Sequence, residues 1–511
     1  MSNKEIGTVV STLDGPSPSF LDFVVNEGTI HRGQFVEMDY SEGTMIALVQ
    51  DVIKTNRYFE RAEAVKEFES SGRKLFEQFP TTEWEYLLAK TRPMGVYSKG
   101  MIKRSSFPPS PGTRVRIASA ENLKKFLGFD EDGLHLGEVE YHSLPVKLNM
   151  TKLLSKHLAV LAMSGAGKSV ATRVMMEELL TREKEKGRMA IVVMDTHGEY
   201  TSFAEPVTDK EHKDYSSKTK VIKARDIKIG VPKLTIGILS GMIPGLSAAQ
   251  RRDLGRILER MKKEMKDGLG PFDLGALRTE LAKDSELKDN TRKALMGWIA
   301  TLDQLKLFSK IDSPSISDLI KPGQLTIVDL SDLINMKKKQ MIVSYFAQKL
   351  FYERRNHKIP PFLLVLEEAH QLVPEGTSKE GAISRPIIET IAREGRKFNA
   401  SLCLISQRPI QLSTTALSQC NTHLILRVTN PYDLDHIGKG SEGLDRRSLD
   451  MITSLRVGEG LLVGEAVNYP VFFKVRKNNS LESKHEIPLE EAAINFEKKK
   501  EEIREEAEEF L

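Results

Sequence analysis

Cysteine is scarce in this chain, which has only Cys403 and Cys420 among its 511 residues. Both lie in apolar runs, and no group of Cys and His residues has the spacing of a zinc site. A cysteine-based metal centre is therefore excluded. The pattern predicts two buried thiols without a chemical role, in a protein of a reducing compartment.

Long hydrophobic runs are also missing. No apolar segment approaches the roughly 20 residues that a helix needs to cross a bilayer. The first ten residues, MSNKEIGTVV, lack the basic and then apolar pattern of a signal peptide. We therefore expect a cytoplasmic protein that has no membrane partner.

An excess of charge of one sign is the third absence. The chain has 75 Lys and Arg residues against 71 Asp and Glu residues, a net charge of +4. A nucleic-acid binding site would therefore be a local patch or the lining of a pore, because the surface as a whole is nearly neutral. The length is enough for two to four domains and at least one large buried core.

Short β-type runs dominate residues 1–145, with Gly- and Pro-containing turns between them. This spacing of strands and turns predicts a small β-barrel, interrupted by one charged, helix-leaning stretch at Arg61–Phe79. The runs are Gly7–Leu13, Leu21–Val25, Gln34–Tyr40, Met45–Ile53, Arg114–Ala118 and Leu134–Val139.

The pattern changes after residue 145 to short apolar runs that alternate with helical segments. Near-continuous apolar strands between helices predict an α/β core with a mainly parallel sheet covered on both faces. Two β-type runs, Gly460–Val467 and Val471–Val475, close the core. The buried strands are predicted at Leu158–Met163, Met189–Met194, Leu325–Leu330, Phe362–Leu366, Ala400–Ile405 and His423–Val428.

Two segments depart from this alternation. Gln250–Lys266 and Thr291–Leu307 have the periodicity of amphipathic helices with polar loops around them, so we predict a helical insertion. The tail is a Glu- and Lys-rich helix with few apolar residues. It is either a solvated helix or an arm that packs on a neighbouring subunit. The predicted segments are the barrel at 1–145, the core at 146–242 and 316–480, the insertion at 243–315 and the tail at 481–511.

A Gly-rich turn separates the first core strand from a predicted helix. In such a turn the backbone N–H groups cradle a phosphate at the helix N-terminus. Lys168 would reach the β- and γ-phosphates of ATP, and the Ser169 hydroxyl would coordinate Mg²⁺. Ala162 occupies the first position of the pattern, where glycine is usual. The predicted nucleotide-binding residues are Ser164, Gly165, Ala166, Gly167, Lys168, Ser169 and Val170.

A pair of carboxylates, Glu367 and Glu368, directly follows the apolar run Phe362–Leu366. The carboxyl ends of parallel strands are where α/β sheets bind ligands. We predict that Glu367 holds the hydration shell of Mg²⁺ and that Glu368 polarises the attacking water as general base. Together with the phosphate loop, this pair predicts a RecA-like P-loop ATPase.

Polar residues follow two other predicted strands. Gln407 lies just after Ala400–Ile405, where a side-chain amide could sense the γ-phosphate of ATP. Asp195–Tyr200 ends the strand Met189–Met194, and the sequence leaves a structural and a substrate-positioning role open for it.

A polar, Gly-containing loop follows the predicted hydrolysis strand. Lys379 and Arg385, in and just after this loop, are predicted to contact DNA phosphates without sequence preference.

The order and spacing of these segments resemble the HerA family, within the HerA/FtsK group of hexameric DNA-pumping ATPases. The likeness extends over Leu158–Val475, and residues 1–145 look like the family's small N-terminal HAS barrel. The segments that carry it are Met163–Ser169, Asp195–Tyr200, Leu366–His370, Arg393–Phe398, Ser406–Pro409 and Leu426–Leu434.

The resemblance implies a homohexameric ring that translocates double-stranded DNA, with a NurA-like nuclease docked on the barrels, in DNA end resection for recombinational repair. It also implies that Arg393 is an arginine finger that enters a neighbouring subunit's site. The family often has a basic residue shortly before the phosphate-loop strand. That position is Lys156 here, and its role across the subunit boundary stays open.

Three alternatives remain at this stage. Some relatives of the family serve antiviral defence with other effectors, and conjugation or secretion ATPases share the same motor core. A nucleotide-dependent scaffold that recruits partners without pumping is the third. Glu368 argues against the scaffold, because a pure switch has little need of a strong water-activating base.

Overall fold

The computed structural model describes residues 5–12, 15–72, 74–79, 81–243, 245–376, 382–441, 444, 446–482 and 489–498. The chain divides into two compact units, one of residues 1–171 and 420–476, the other of residues 172–419 and 477–511. The first unit contains β1–β10 and β18–β20. The second contains β11–β17 and most of the helices.

The secondary structure is numbered in chain order. The strands are β1 Glu5–Val10, β2 Leu21–Val25, β3 Phe35–Tyr40, β4 Gly43–Asn56, β5 Glu85–Ser98, β6 Met101–Lys103, β7 Arg114–Ile117, β8 Leu134–Val139, β9 Pro145–Leu148, β10 Leu158–Leu161, β11 Ala190–Asp195, β12 Thr219–Lys223, β13 Ile229–Gly230, β14 Phe308–Ser309, β15 Leu325–Asp329, β16 Phe362–Leu366, β17 Ala400–Ser406, β18 Thr422–Ile425, β19 Glu459–Gly464 and β20 Val471–Val475. The helices are α1 Ala62–Ser70, α2 Leu75–Gln78, α3 Ala120–Leu127, α4 Met150–Leu154, α5 Lys168–Thr181, α6 Ile236–Met242, α7 Ala248–Glu264, α8 Leu274–Lys283, α9 Asp289–Gln304, α10 Met336–Arg355, α11 Ala369–Leu372, α12 Arg385–Glu394, α13 Thr414–Ser418, α14 Pro431–Gly440 and α15 Arg446–Thr453.

The N-terminal β-barrel is confirmed. Six antiparallel strands run in the order β2-β1-β7-β3-β4-β5, and pairing of β2 with β5 closes the ring, so no long edge is left open. Side chains such as Phe23, Val36, Met38 and Met45 alternate into a fully buried core. The helix-leaning stretch between β4 and β5 contains α1 and α2.

The strand β8, which was predicted as part of the barrel at 1–145, belongs to a different sheet. β8 pairs antiparallel with β20 and β9, so it belongs to the sheet that contains β10 and β18. Periodicity finds the strand with its correct bounds. Periodicity does not reveal which sheet the strand joins, because an alternating strand can bury one face in the barrel or in the sheet that contains β10 and β18.

The second unit is built on a parallel sheet in the order β12-β15-β11-β16-β17. Every residue of β11, β15, β16 and β17 is buried. Helices cover strands of this kind on both faces, which explains their nearly continuous apolar sequence. The predicted parallel α/β core is confirmed, and its strand ends bring Asp195, Glu367 and Ser406 to one edge.

The insertion is helical, as predicted, and contains one more helix than expected. A capping box of Ser247 and Gln250 begins α7. Leu254, Ile257 and Leu258 of α7 are buried, as are leucines of α8 and α9. The prediction of polar loops around two helices missed α8, which is only ten residues long and begins at the cap Asp273.

The C-terminal residues 489–498 form a helix on which every side chain is exposed. Across the described ranges, no helix has the length and apolar character that crossing a lipid bilayer requires.

Candidate active site

The phosphate loop joins the buried strand β10 to α5. Its first residues are fixed by backbone bonds: Leu426 N–H donates to the carbonyl of Leu161, and Met163 N–H donates to that of Arg427, both at 2.9 Å. The carbonyl of Ala166 accepts from Gly458 N–H at 3.2 Å. Because α5 begins at Lys168, the loop ends at a helix N-terminus, where unsatisfied N–H groups attract anions.

Glycine is required at two positions of this loop. Gly165 and Gly167 have φ of 73° and 97°, in the left-handed region that L side chains rarely adopt. A Cβ on Gly167 would also lie 3.2 Å from the nitrogen of Gly458. Ala162, where glycine is usual, is fully buried and is not among the residues with positive φ, so alanine fits there without strain.

Lys156 is engaged within its own chain. Its ammonium lies 2.6 Å from a carboxylate oxygen of Glu465, and both side chains are about one-third exposed or less. Lys156 therefore has an ion-pair partner within its own chain.

Glu367 joins the end of β16 to the loop after β11. Its carboxylate is fully buried, and Oε2 accepts from Thr196 N–H at 2.8 Å, Thr196 Oγ1 at 3.1 Å and His197 N–H at 3.2 Å. Glu367, which is expected to hold the hydration shell of Mg²⁺, therefore also accepts the hydrogen bonds that fix this loop.

Asp195 shapes the same loop from inside. One carboxylate oxygen accepts from Gly198 N–H at 2.8 Å and Glu199 N–H at 3.1 Å, and the other accepts from Tyr200 N–H at 2.9 Å. Burial raises the pKa of Asp195 well above its usual range, and the neighbouring Glu367 raises it further. Asp195 therefore has a structural role, one of the two that the sequence left open.

A group of possible metal ligands surrounds this loop. One ligand atom each from His197, Glu199 and Glu367 lies within 4.8 Å of the others. His197 Nδ1 lies 3.5 Å from Glu367 Oε1, and this hydrogen bond raises the pKa of the imidazole. Carboxylate oxygens suit Mg²⁺, whereas an imidazole nitrogen favours softer ions such as Zn²⁺. Of these three candidate ligands, only Glu367 was predicted as a metal ligand from the sequence.

Glu368 is held in a strained conformation. Its backbone is left-handed, with φ 47° and ψ 48°, and the residue is 2% exposed. A non-glycine residue in this region costs of order 1–3 kcal/mol and persists only where its surroundings enforce it, often at functional sites. Gln407 Nε2 donates to Oε1 at 2.8 Å, and His370 Nδ1 lies 3.3 Å from Oε2. The carboxylate is therefore buried and oriented from two sides.

Two residues that the sequence analysis did not single out support this site. Ser406 Oγ lies 3.2 Å from His370 Nδ1, so the end of β17 fixes the imidazole beside Glu368. Lys339 of α10 is buried and donates to the carbonyl of Thr196 at 3.2 Å. Its charge lies near the Asp195 and Glu367 carboxyls, and burial lowers its pKa. A single buried lysine on a long helix carries no sequence signal of such a role.

Comparisons with known proteins found similar sequences. The family model described as helicase HerA, central domain, matches residues 134–350. A probable helicase of Methanocaldococcus jannaschii is 27% identical over 87% of this chain and 86% of its own. The DNA double-strand break repair helicase HerA of Pyrococcus furiosus is 28% identical over 79% of this chain and 80% of its own. The chain is similar in sequence to a HerA helicase over most of its length.

A similar fold occurs in a solved structure. The plasmid coupling protein TrwB in complex with the ATP analogue ADPNP superposes with a TM-score of 0.50 at 14% identity, covering 72% of this chain and 95% of that one. At this identity the likeness concerns the fold alone.

The three cationic side chains expected to act on DNA or on a neighbouring subunit differ in their surroundings. The Arg393 side chain is 51% exposed at the end of α12 and lies 3.9 Å from Glu389. Arg385 donates to Glu389 at 2.7 Å and to the carbonyl of Pro374 at 3.1 Å, so its guanidinium anchors the start of α12. Lys379 lies outside the described residues.

Proposed function

We propose that the chain is an ATP-driven translocase or helicase that acts on double-stranded DNA in end resection and recombinational repair. The observation that carries the proposal is the buried, strained Glu368 with Gln407 bonded to it, because a base in a fixed orientation serves water activation. The names of the relatives support DNA as the polymer. ATP turnover that rises several-fold when duplex DNA is added is the expected result. Turnover unaffected by DNA would contradict the proposal.

The residues have distinct roles in this proposal. The N–H groups of the phosphate loop and Lys168 bind the phosphates of ATP. Ser169 and Glu367 would hold Mg²⁺, which would supply positive charge against the charge that develops on the phosphates. Glu368 accepts the proton of the attacking water, and Gln407 orients Glu368 and senses the γ-phosphate. Val170 completes the nucleotide contacts at the first turn of α5.

The assembly follows from the resemblance and belongs to the same proposal. We propose a homohexamer, with a NurA-like nuclease bound to the barrel at 1–145 and the tail at 481–511 packed on a neighbouring subunit. The core would be 146–242 with 316–480, and the insertion 243–315. A native mass near six chains, and a complex with the nuclease that is lost without the barrel, would support this. Robust ATP turnover with a different effector would favour an antiviral or conjugation-type motor, and nucleotide binding without turnover would favour a scaffold.

The helical insertion offers a surface for DNA phosphates in addition to Lys379. The charged residues that line a groove of about 480 Å³ are five lysines and two acids: Lys233, Lys262, Lys263, Lys266, Lys310, Glu259 and Asp312. Of these lysines, only Lys262 has an ion pair within the described part of the chain, with Glu259 at 2.8 Å. By contrast, Arg256 and Arg260 of the same α7 pair with Asp284. Clustered, unpaired lysines repel one another, and a polyanion relieves that repulsion.

Charge reversal compares the candidate DNA surfaces. Replacing Lys263, Lys266 and Lys310 with Glu should weaken duplex binding and reduce the salt slope by about 3, because each phosphate contact contributes about 0.9. Salt titrations of duplex binding measure this. Lys379→Glu tests the loop that precedes α12. Reversing the charge of Arg385 as well should flatten the salt dependence of duplex binding further, but it also breaks the bonds of Arg385 to Glu389 and Pro374.

The matched control has the same charge change in the same insertion. Lys283, Lys288 and Lys293 are exposed and do not line the groove. If their reversal weakens binding as much as the groove variant does, the groove has no special role. If only Lys379→Glu changes the salt dependence of duplex binding, the DNA binds at the loop that contains Lys379.

A further inference from the structure

The C-terminal segment 477–482 is bound to the helix that follows the phosphate loop. Two charged residues of α5, Arg173 and Glu177, are only 3% and 1% exposed. They lie four residues apart and therefore on one face of the helix. Burying two charges is costly unless each finds partners, so the contacts of this pair identify what the burial serves.

Glu177 binds the segment through its backbone. Its Oε1 accepts from Asn479 N–H and from Ser480 N–H, both at 2.7 Å. Ser480 is itself 1% exposed, and the carbonyl of Asn479 accepts from Lys213 N–H at 2.7 Å. The segment is thus held at consecutive residues rather than resting on the surface.

Arg173 binds the segment and the Asp195–Tyr200 loop at once. One terminal nitrogen donates to the carbonyl of Leu481 at 2.7 Å. The other donates to the carbonyl of Glu199 and to Ser202 Oγ, the latter at 3.0 Å. Ser202 Oγ in turn donates to Leu481 O at 2.9 Å. A planar guanidinium can bridge two such directions, whereas a lysine ammonium on one stem cannot hold both.

We propose that Arg173 and Glu177 are positioning residues that couple nucleotide binding to the C-terminal segment. α5 carries Lys168 and Ser169 in its first turn and Arg173 and Glu177 in the next two turns. A shift of α5 on nucleotide binding moves both the segment 477–482 and the loop that carries His197 and Glu199. The segment leads to the exposed helix 489–498, so events at that helix act back on ATP turnover. The inference rests on the proposed ATPase function.

Hydrogen exchange on the full chain tests the coupling. The amides of Asn479 and Ser480 are donors to Glu177, so their exchange reports the bond directly. A non-hydrolysable ATP analogue with Mg²⁺ should slow exchange in 477–482 by about tenfold, within the usual range of coupling between sites. Glu177→Ala should abolish this response. Glu178→Ala, next to it on the same helix, should retain it.

Steady-state kinetics give a second, independent readout. Glu177→Ala should lower kcat by about tenfold while ATP affinity changes less than twofold, because the variant alters the position of the loop and leaves the phosphate contacts intact. Glu177→Gln keeps an oxygen acceptor and should recover most of the activity. A variant that is merely misfolded would instead lose nucleotide binding and its thermal transition.

Two results overturn the inference. The first is that the analogue binds, as measured with a fluorescent nucleotide, while hydrogen exchange in 477–482 stays unchanged. The second is that Glu178→Ala reduces kcat as much as Glu177→Ala does. An analogue that does not bind the wild-type chain at all would overturn the proposed function itself, and the coupling with it.

Discussion

Glu368→Gln is expected to bind ATP normally and to hydrolyse it about 10²-fold or more slowly, the scale of general-base effects. An amide cannot take the proton of water, but it has nearly the same shape as the carboxylate and can still accept from Gln407, which lies 2.8 Å away. Single-turnover hydrolysis and nucleotide binding, measured on the same preparation, separate the two effects.

Lys168→Ala is the companion variant. Lys168 is 5% exposed at the start of α5, and no other side chain of the phosphate loop supplies its positive charge. The variant should lose hydrolysis and most of its nucleotide affinity. Near-normal turnover in Glu368→Gln would overturn the assignment of the base, whereas turnover in Lys168→Ala would overturn the phosphate loop.

Arg393→Ala is expected to reduce ATP turnover by about 10³–10⁵-fold, the range found when an arginine finger is removed from phosphoryl-transfer enzymes. The side chain lies at the C-terminal end of α12, half exposed, with one long contact to Glu389 at 3.9 Å. Exposed pairs of this kind contribute little, so the guanidinium can reorient toward a neighbouring subunit.

Mixed rings distinguish a finger in trans from a structural arginine. Arg393→Ala and Lys168→Ala subunits should each be inactive alone. Combined in one ring, they should regain some turnover, because an intact site forms wherever a good phosphate loop meets a neighbour's good arginine. If mixed rings assemble and remain inactive, Arg393 has no role in trans. Arg396, exposed three residues later, is the matched control.

The candidate site shows which residues can be predicted from short sequence motifs. The phosphate loop could be predicted because its function depends on consecutive residues: glycines at the positive-φ positions 165 and 167, and Lys168 at a helix start. Glu367 and Glu368 could be predicted because charges rarely end a buried strand without a reason. Each signal lies within its own short stretch of chain.

The partners of these residues could not be predicted in the same way. Glu367 accepts from Thr196, which is distant in sequence, and Glu368 accepts from Gln407. Arg385 looked like a free cation after a polar loop, yet it binds Glu389 and Pro374. Whether a charged side chain faces DNA or its own chain depends on which elements pack beside it.

The sequence by itself determined the local elements: the barrel strands, the buried parallel strands, the Gly-rich loop before α5 and the glutamate pair at the end of β16. Each follows from a period or motif of a few residues, since hydrophobic spacing and backbone sterics act locally. The tertiary structure alone decided that β8 pairs with β20, and that Asp195 and Glu367 build one loop between them. It also decided that Arg173 and Glu177 bury their charges against the C-terminal segment. Several of those contacts join residues more than 300 positions apart, and only the folded chain brings such residues together.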